Sequence, residues 1–411
     1  MYHHSESSSV TLDDLRCKKV LLRTDFNVPI IDGIIQDISK IKRHSQTIDF
    51  LKKAGAKIIV ISHLGRPSEP NQEYSLKILK DAIAREYNLN VIFVDDCIND
   101  EIGKIIDSSG DNDLILLENL RFHCEEKNCD FDFAKKLASF ADFYVNDAFS
   151  ASHRKHASIC IIPQLLPHAF GFSFKNELNM LNYFFSNAKS PKMSIIGGSK
   201  LSTKIKLLKN LTRKVDKLVL GGGIAGVFVA FQNKIPLKIF EQNNYADCVA
   251  GILNSAEKNH CELVLPVDFS ALVSSRRLSE AVMCIETGAC DKCQTIESTI
   301  LDIGPDSVEL FKKHLKESAT VLWNGPLGLF EKAPFDFGTR SVAEEMARLS
   351  REGRLVSIVG GGETAFAMNK FNVADDITHL STSGGSFLSY LEESELPGIT
   401  AMANAFSLPC S

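Results

Sequence analysis

Short apolar runs rich in β-branched residues alternate with longer amphipathic stretches along almost the whole chain. That alternation constrains the fold more than any other feature. In the first half "KKVLLRTDFNVP" precedes "SKIKRHSQTIDFLKKAG", and "KIIVISHLGRP" precedes "SLKILKDAIAREYN". "NVIFVDD", "DLILLENLRFH", the helical "DFAKKLASFA" and "DFYVNDAFSASHR" come next. Strand-like runs separated by period-3.6 segments describe βαβ units around a buried parallel sheet. The second half repeats the design, with "KMSIIGG", "KLVLGGG", "CELVLPVDF", "ATVLWNGP", "RLVSIVGGG" and "DITHLSTSGG" each ending such a run. At 411 residues the chain exceeds what a single core supports. The expected fold class is therefore α/β: two doubly wound, Rossmann-like domains with mainly parallel sheets, joined by an interdomain helix over "KNELNMLNYFFSNAKSP".

Composition excludes several classes. A formal charge of −5 argues against a general nucleic-acid binder, although it permits a locally basic cleft. The longest apolar run, Leu218 to Phe231, is too short to span a bilayer, and "MYHHSESSSV" has no signal-peptide pattern. Eleven irregularly spaced cysteines suit reduced thiols and a cytoplasmic location. Cys290 and Cys293 form one C-x-x-C, with Cys284 nearby. A zinc site there would need four clean ligands, so plain thiols are the simpler reading.

Ligands of open α/β sheets bind beyond the carboxyl ends of the strands, so the residues just past each strand are informative. In the first half these are Asp25 and Asn27, then His63 and Arg66, then Asn119 and Arg121, then Asn146, Asp147, His153 and Arg154. Three arginines from three strand ends can converge on one small anion, because guanidinium forks match phosphate or carboxylate oxygens.

The second half collects Gly197, Gly198, Lys200 and Lys204; Gly221 to Gly223; Asn324, Gly325 and Glu331; Gly361, Gly362, Glu363 and Thr364; and Gly384 and Gly385. Glycines let backbone approach a ligand closely, and N–H groups at such turns suit phosphate oxygens. A helix starting at Gly198 would put Lys200 and Lys204 on one face of its positive end, which makes sense only against an anion. With Glu363 suited to Mg²⁺, this half reads as a nucleotide domain and the anion as a polyphosphate.

No G-x-x-x-x-G-K-[ST] occurs, so this is not a P-loop chain. "GGGIAG" at 221–226 matches G-x-G-x-x-G, with Glu241 at the distance of an NAD ribose ligand. The weak strand character before Glu241 and the abundance of glycine count against that reading.

Ten blocks in order resemble the signatures of the phosphoglycerate kinase family. They are "RTDFNVP", "SHLGRP", "LLENLRFH", "YVNDAFSASHRKHAS", "GGSKLSTKI", "LPVDF", "DIGP", "WNGPLGLFE", "VGGGETA" and "HLSTSGGSFLSYLE", spanning about Lys19 to Thr400. The resemblance implies reversible transfer of the acyl phosphoryl group of 1,3-bisphosphoglycerate to MgADP, giving 3-phosphoglycerate and MgATP, with Mg²⁺ as cofactor. It implies an N-terminal substrate domain over 1–172, a hinge helix over 173–190 and a nucleotide domain over 191–390. The tail from about 391 to 411 is expected to pack back on the first domain.

On the same pattern the substrate residues are Asp25, Phe26, Asn27, Lys40, Ser62, His63, Gly65, Arg66, Arg121, His153 and Arg154. The nucleotide residues are Gly198, Ser199, Lys200, Lys204, Gly222, Gly223, Gly304, Asn324, Gly325, Pro326, Glu331, Gly362, Glu363 and Thr364. Glu363 also meets the metal, and Lys200, Lys40 and Arg43 are the catalytic set. A carboxylate nucleophile is already ionised at neutral pH, so positioning and charge cancellation carry the rate, with no general base. Domain closure then brings the ligands together and excludes water. The resemblance also implies a cytoplasmic monomer without nucleic-acid or membrane partners.

The chain departs from the pattern at four positions. Lys40 stands where an arginine normally contacts the transferring phosphoryl, which keeps the charge and loses the fork. Arg43, one helical turn on, is a second candidate for that place. Thr203 replaces an aspartate between the lysines, Glu363 replaces an aspartate at the metal, and Ser383 replaces the first glycine of a triplet. Two alternatives therefore stand beside the active kinase: a catalytically impaired relative that only binds, and an NAD-dependent dehydrogenase.

Overall fold

The structure is a computed structural model describing residues 11, 13–110, 112–235, 237, 240, 245–272, 282–286, 300–393 and 395–404. It divides into two compact units, one of residues 1–179 with 395–411, the other of 180–394. Each has one six-stranded, wholly parallel sheet, as the two blocks of βαβ patterning require.

In the first unit the strand order is Asn90–Val94, Asp113–Leu117, Lys57–Ile61, Lys19–Arg23, Phe143–Asn146 and His168–Phe170. The central strand places Leu21 between Ile59 and Tyr144, all fully buried. Side chains alternate across the sheet, so one core gathers Val20, Leu22, Ile58 and Val60 and the other Leu21, Ile59, Ile61 and Ile115. Arg23 ends this strand with its side chain completely buried.

Local chemistry shapes the strand-end loops. The Asn119 side chain accepts the Arg121 N–H at 3.0 Å and starts the 3₁₀ turn Leu120–Phe122 that carries Arg121. Asp130 caps the helix Phe131–Ala138 through the Phe133 N–H at 2.9 Å. Asn88 in the left-handed region ends the helix Lys80–Tyr87.

In the second unit the order is Glu262–Val264, Lys217–Leu220, Lys192–Ile196, Thr320–Asn324, Val356–Gly360 and His379–Ser381. A small antiparallel sheet, Val282–Glu286, Asp268–Leu272 and Ile300–Ile303, belongs to the same unit. Trp323 is its largest fully buried side chain, and its indole N–H donates to the Gly325 carbonyl at 2.7 Å. That bond anchors the loop after the fourth strand from inside the core.

The helix read over 173–190 appears as Phe172–Asn182 running on into a π-helical turn, Tyr183–Asn187, with the division between units falling inside it. At the chain's end, residues from Glu395 belong with the first unit, whereas the helix Gly384–Glu393 stays with the second. The tail helix Pro397–Asn404 is held by Gly398 N–H on the Ser152 carbonyl at 2.9 Å, and the Met402 carbonyl lies 3.0 Å from His168 Nε2.

The helix expected from Gly198 does not form. Gly198 sits at φ +116°, Lys200 is extended, and the α-helix begins only at Ile205 after a 3₁₀ turn, Leu201–Thr203. The Gly198 N–H is spent on the Pro326 carbonyl and its carbonyl on the Ile224 N–H, so the loop bonds sideways to its neighbours.

Candidate active site

Two sets of loops, one on each unit, carry the residues singled out in the sequence. In the first unit Asp25 sits at the centre. Its Oδ2 accepts Lys40 Nζ at 3.0 Å and the Ser150 hydroxyl at 2.5 Å, and its Oδ1 accepts the Asn27 N–H at 3.0 Å. Burial opposes its ionisation, but the Lys40 ammonium, His63 and the Ser150 hydroxyl outweigh it and hold the carboxyl well below the usual range. Asn27 Oδ1 in turn accepts the Gly65 N–H at 2.8 Å. Gly65 has φ +63°, and a Cβ there would run into the Tyr74 ring at 2.2 Å.

The arginines converge electrostatically. Burial lowers Arg121 to about 10, and Arg154 and Arg23 push the same way. Arg154 is lowered by burial and then by Arg66. His153 is lowered to about 4 by burial and by Arg154, whose Nε donates to its Nε2 at 3.2 Å. Partly desolvated arginines whose charge is disfavoured by neighbouring guanidinium groups mark a place suited to an anion. Arg121 is oriented by a bond from Nη1 to the Gly65 carbonyl.

His63 is buried, and its pKa is held well below the ordinary value, first by desolvation and then by Arg23. Its Nδ1 lies 3.3 Å from Arg23 Nη2, and its Nε2 lies 3.9 Å from Asp25 Oδ1. Arg23 is held from behind by Nε on Ser158 Oγ at 3.0 Å, and Glu126 lies 4.0 Å from its Nη2. Sequence reading missed Arg23 and Ser150. The signal for Arg23 was present, a charged residue closing the apolar run "KVLLR".

Three candidates lie elsewhere. Phe26 is fully buried in the core and Ser62 is spent on backbone, its Oγ accepting the Phe26 N–H at 2.9 Å and donating to the Thr24 carbonyl at 2.9 Å. Both shape the loop from beneath. Arg43 bonds Glu177 Oε1 at 2.6 Å, a carboxylate only 3% exposed.

In the second unit the glycines pack loop against loop. A Cβ on Gly197 would meet the Pro326 carbonyl oxygen at 2.0 Å, one on Gly325 (φ +89°) the Gly197 oxygen at 2.3 Å, and one on Gly222 the Gly198 oxygen at 2.8 Å. The N–H groups of Gly197, Gly198, Gly221 and Gly325 bond Asn324 O, Pro326 O, Ile196 O and Thr364 Oγ1. All four spend their donors within the protein, and Gly197 and Gly325 also serve close backbone approach. The donors without intrahelical partners belong to the helices Gly222–Gln232, Gly362–Lys370 and Gly384–Glu393, each of which starts after a strand of the sheet.

Lys204 bonds Asn324 Oδ1, while Asn324 Nδ2 donates to the Gly360 carbonyl at 2.6 Å. Burial lowers the Lys204 ammonium to about 8, with Glu392 and Glu363 pulling the other way. Glu363 is exposed in the first turn of its helix and within electrostatic reach of Lys204. One open carboxylate beside a lysine fits Mg²⁺, which takes few protein ligands and completes its shell with phosphates and water. Ser199 and Lys200 are exposed, Thr364 is fully buried, and the Glu331 carbonyl accepts Lys370 Nζ at 3.0 Å. Gly304 precedes the helix Pro305–Lys316, whose N-terminus is already answered by the Asp268 carboxylate on the Asp306 and Ser307 N–H groups. Thr203 turns its hydroxyl to the Lys200 carbonyl at 2.9 Å, and Ser383 is buried. Glu241, Cys290 and Cys293 lie outside the described residues.

A cationic cluster on one doubly wound sheet and glycine-built loops around a half-buried lysine on another define a two-unit α/β phosphotransferase. The family model described as "Phosphoglycerate kinase" matches residues 10–394. The chain is similar to the phosphoglycerate kinase of Wolbachia pipientis subsp. Culex pipiens, 44% identical over 395 residues, 95% of this chain and 98% of that one. To that of Rhizobium meliloti it is 42% identical, over 95% and 98%. The solved phosphoglycerate kinase structure from Coxiella burnetii superposes with a TM-score of 0.83 at 32% identity, covering 98% of this chain and 99% of that one. The chain belongs to the phosphoglycerate kinase family. It is a kinase, and its reaction is the reversible phosphoryl transfer of glycolysis between 1,3-bisphosphoglycerate with ADP and 3-phosphoglycerate with ATP.

Proposed function

We propose that the first unit binds 3-phosphoglycerate or 1,3-bisphosphoglycerate and the second binds ADP or ATP with Mg²⁺. The observation that carries this is the gathering of Arg121, held on the Gly65 carbonyl, with Arg154, held on His153, where burial and neighbouring arginines lower both guanidinium groups. The carboxylates within their electrostatic reach, Glu126 and Asp25, are already committed to the Ser158 hydroxyl and to Lys40. Arg66, Arg121 and Arg154 with His153 take the non-transferred phosphate. Asp25, Asn27, His63 and the Gly65 turn orient the glyceryl part, with Phe26 and Ser62 as the floor beneath them. Lys40 faces the carboxyl end, where the phosphoryl arrives.

On the second unit Lys200 meets the transferring phosphoryl and Lys204 the nucleotide phosphates. Gly222, Gly223, Gly362 and Thr364 present helix N-termini, while Gly198, Ser199, Gly304, Asn324, Gly325 and Pro326 wall the nucleotide and Glu331 reaches the ribose. Glu363 would hold Mg²⁺, which would supply positive charge to neutralise the phosphates during transfer. The carboxylate of 3-phosphoglycerate needs no base, so the side chains hold geometry and charge, and transfer is in line. A cytoplasmic monomer is the form proposed, and among the described residues no helix is long and apolar enough to cross a membrane.

The test is a coupled assay on the full chain with ATP, 3-phosphoglycerate and Mg²⁺, run beside Glu363→Gln. Turnover that needs Mg²⁺ and drops at least about tenfold in the variant supports the assignment. Equal turnover in the variant removes Glu363 from the metal site. Nucleotide binding without any turnover would favour a relative that only binds.

A further inference from the structure

Two strand-end loops of the first unit meet beside the turn that carries Arg121. Asp96 and Cys97 come after the strand Asn90–Val94, and His123 closes the 3₁₀ turn after the neighbouring strand Asp113–Leu117. One ligand atom from each of Asp96, Cys97 and His123 lies within 4.8 Å of the others. His123 Nε2 is 2.9 Å from Asp96 Oδ1, which also accepts the Cys97 N–H at 2.6 Å, so the carboxylate is already oriented. The Cys97 side chain is fully buried among Ile102, Ile106 and Leu117 and is a free thiol.

We propose that Asp96, Cys97 and His123 form a site for a thiophilic divalent cation, with zinc as the matching ion. Sulfur, imidazole nitrogen and a carboxylate oxygen form a zinc donor set, whereas Mg²⁺ takes oxygen alone. Tetrahedral bonds of about 2.0–2.3 Å place ligand atoms roughly 3.3–3.8 Å apart, so small side-chain shifts complete the set. The apolar side behind Cys97 closes the site. The Asp96 and His123 side chains, 34% and 24% exposed, leave a path for the ion and a fourth position for water. On binding, the thiol proton passes to solvent and His123 ligates through Nε2 with its proton at Nδ1. The ion ties two adjacent strand ends together two residues past Arg121, and it is distinct from the Mg²⁺ of the transfer reaction.

Chelator-treated full-length protein titrated with Zn²⁺ by calorimetry, and with Co²⁺ by absorbance, tests the assignment. One equivalent and a thiolate-to-cobalt charge-transfer band are expected in the wild type and in the double variant Cys290→Ser/Cys293→Ser. Cys97→Ser should lose the band, and Cys97→Ser and His123→Gln should each weaken zinc by at least about tenfold. Absence of binding overturns the site, as does binding that survives in both single variants or disappears with Cys290 and Cys293. Should Cys97→Ser fail to fold, the His123→Gln titration decides alone.

Discussion

Arg23 Nη2 lies 3.3 Å from His63 Nδ1, and a guanidinium can only donate. His63 Nδ1 must therefore accept, which puts the imidazole proton on Nε2, the nitrogen turned toward Asp25 and the proposed substrate. Arg23 thus selects a neutral, donating histidine. Arg23→Lys keeps the charge and removes the fork, so we expect the 3-phosphoglycerate KM to rise about tenfold while the ATP KM holds. Arg23→Met removes the donor altogether, and there the imidazole ¹⁵N shifts of His63 should move away from the Nε2–H form. An unchanged tautomer would detach Arg23 from this role.

Lys40 and Arg43 lie one helical turn apart yet serve different partners, Asp25 at 3.0 Å and Glu177 at 2.6 Å. Lys40→Ala should lower kcat at least about a hundredfold, and its cost in stability is limited because Asp25 keeps the Ser150 hydroxyl and the Asn27 N–H. Arg43→Ala withdraws the guanidinium from a carboxylate only 3% exposed, which costs roughly 1–3 kcal/mol after allowing for the partly exposed arginine, while kcat stays within about threefold. Steady-state kinetics and thermal melts on the two variants separate the roles, and exchanged outcomes would return the phosphoryl contact to Arg43.

The strands were legible because a parallel sheet covered on both faces must be written in apolar runs such as "KIIVI" and "KLVL". The arginines were legible because strand ends are where such sheets bind. The glycines misled in part. Composition shows that Gly198 and Gly325 permit close approach, but not whether a ligand or another loop approaches, and here each meets the other's neighbours. The supposed helix at Gly198 failed for the same reason, since bonds to Pro326 and Ile224 outcompete a helical turn. Arg43 was ambiguous because Glu177, its partner, lies 134 residues away.

Arg121 is buried among cations, so a bound anion relieves their mutual repulsion. 3-Phosphoglycerate should raise the melting temperature of the wild type and leave that of Arg121→Gln nearly unmoved. Its KM should rise about a hundredfold or more in the variant, because the proposed charge-assisted contact with the phosphate is lost, while ATP affinity stays within about twofold. Joint loss of both affinities would contradict the division of ligands between the units.

Lys204 gives the sharpest pH signature. Burial lowers its ammonium to about 8 in the free protein, and a bound polyphosphate favours the charged form and raises it again. Nucleotide binding is then linked to proton uptake above about pH 8, and affinity should be flat below that value. It should fall by up to about tenfold per pH unit above it, until the pKa of the complex is reached. For stability the sign is opposite to that of a paired lysine. The folded pKa lies below the unfolded one, so between about 8 and the ordinary lysine value the unfolded chain binds more protons and stability rises with pH. Calorimetric titrations with ATP in buffers of different ionisation heat measure the uptake directly. Lys204→Met should abolish the uptake and the pH dependence together and weaken ATP about tenfold or more at neutral pH. Proton uptake that persists in Lys204→Met would assign the titration to another group.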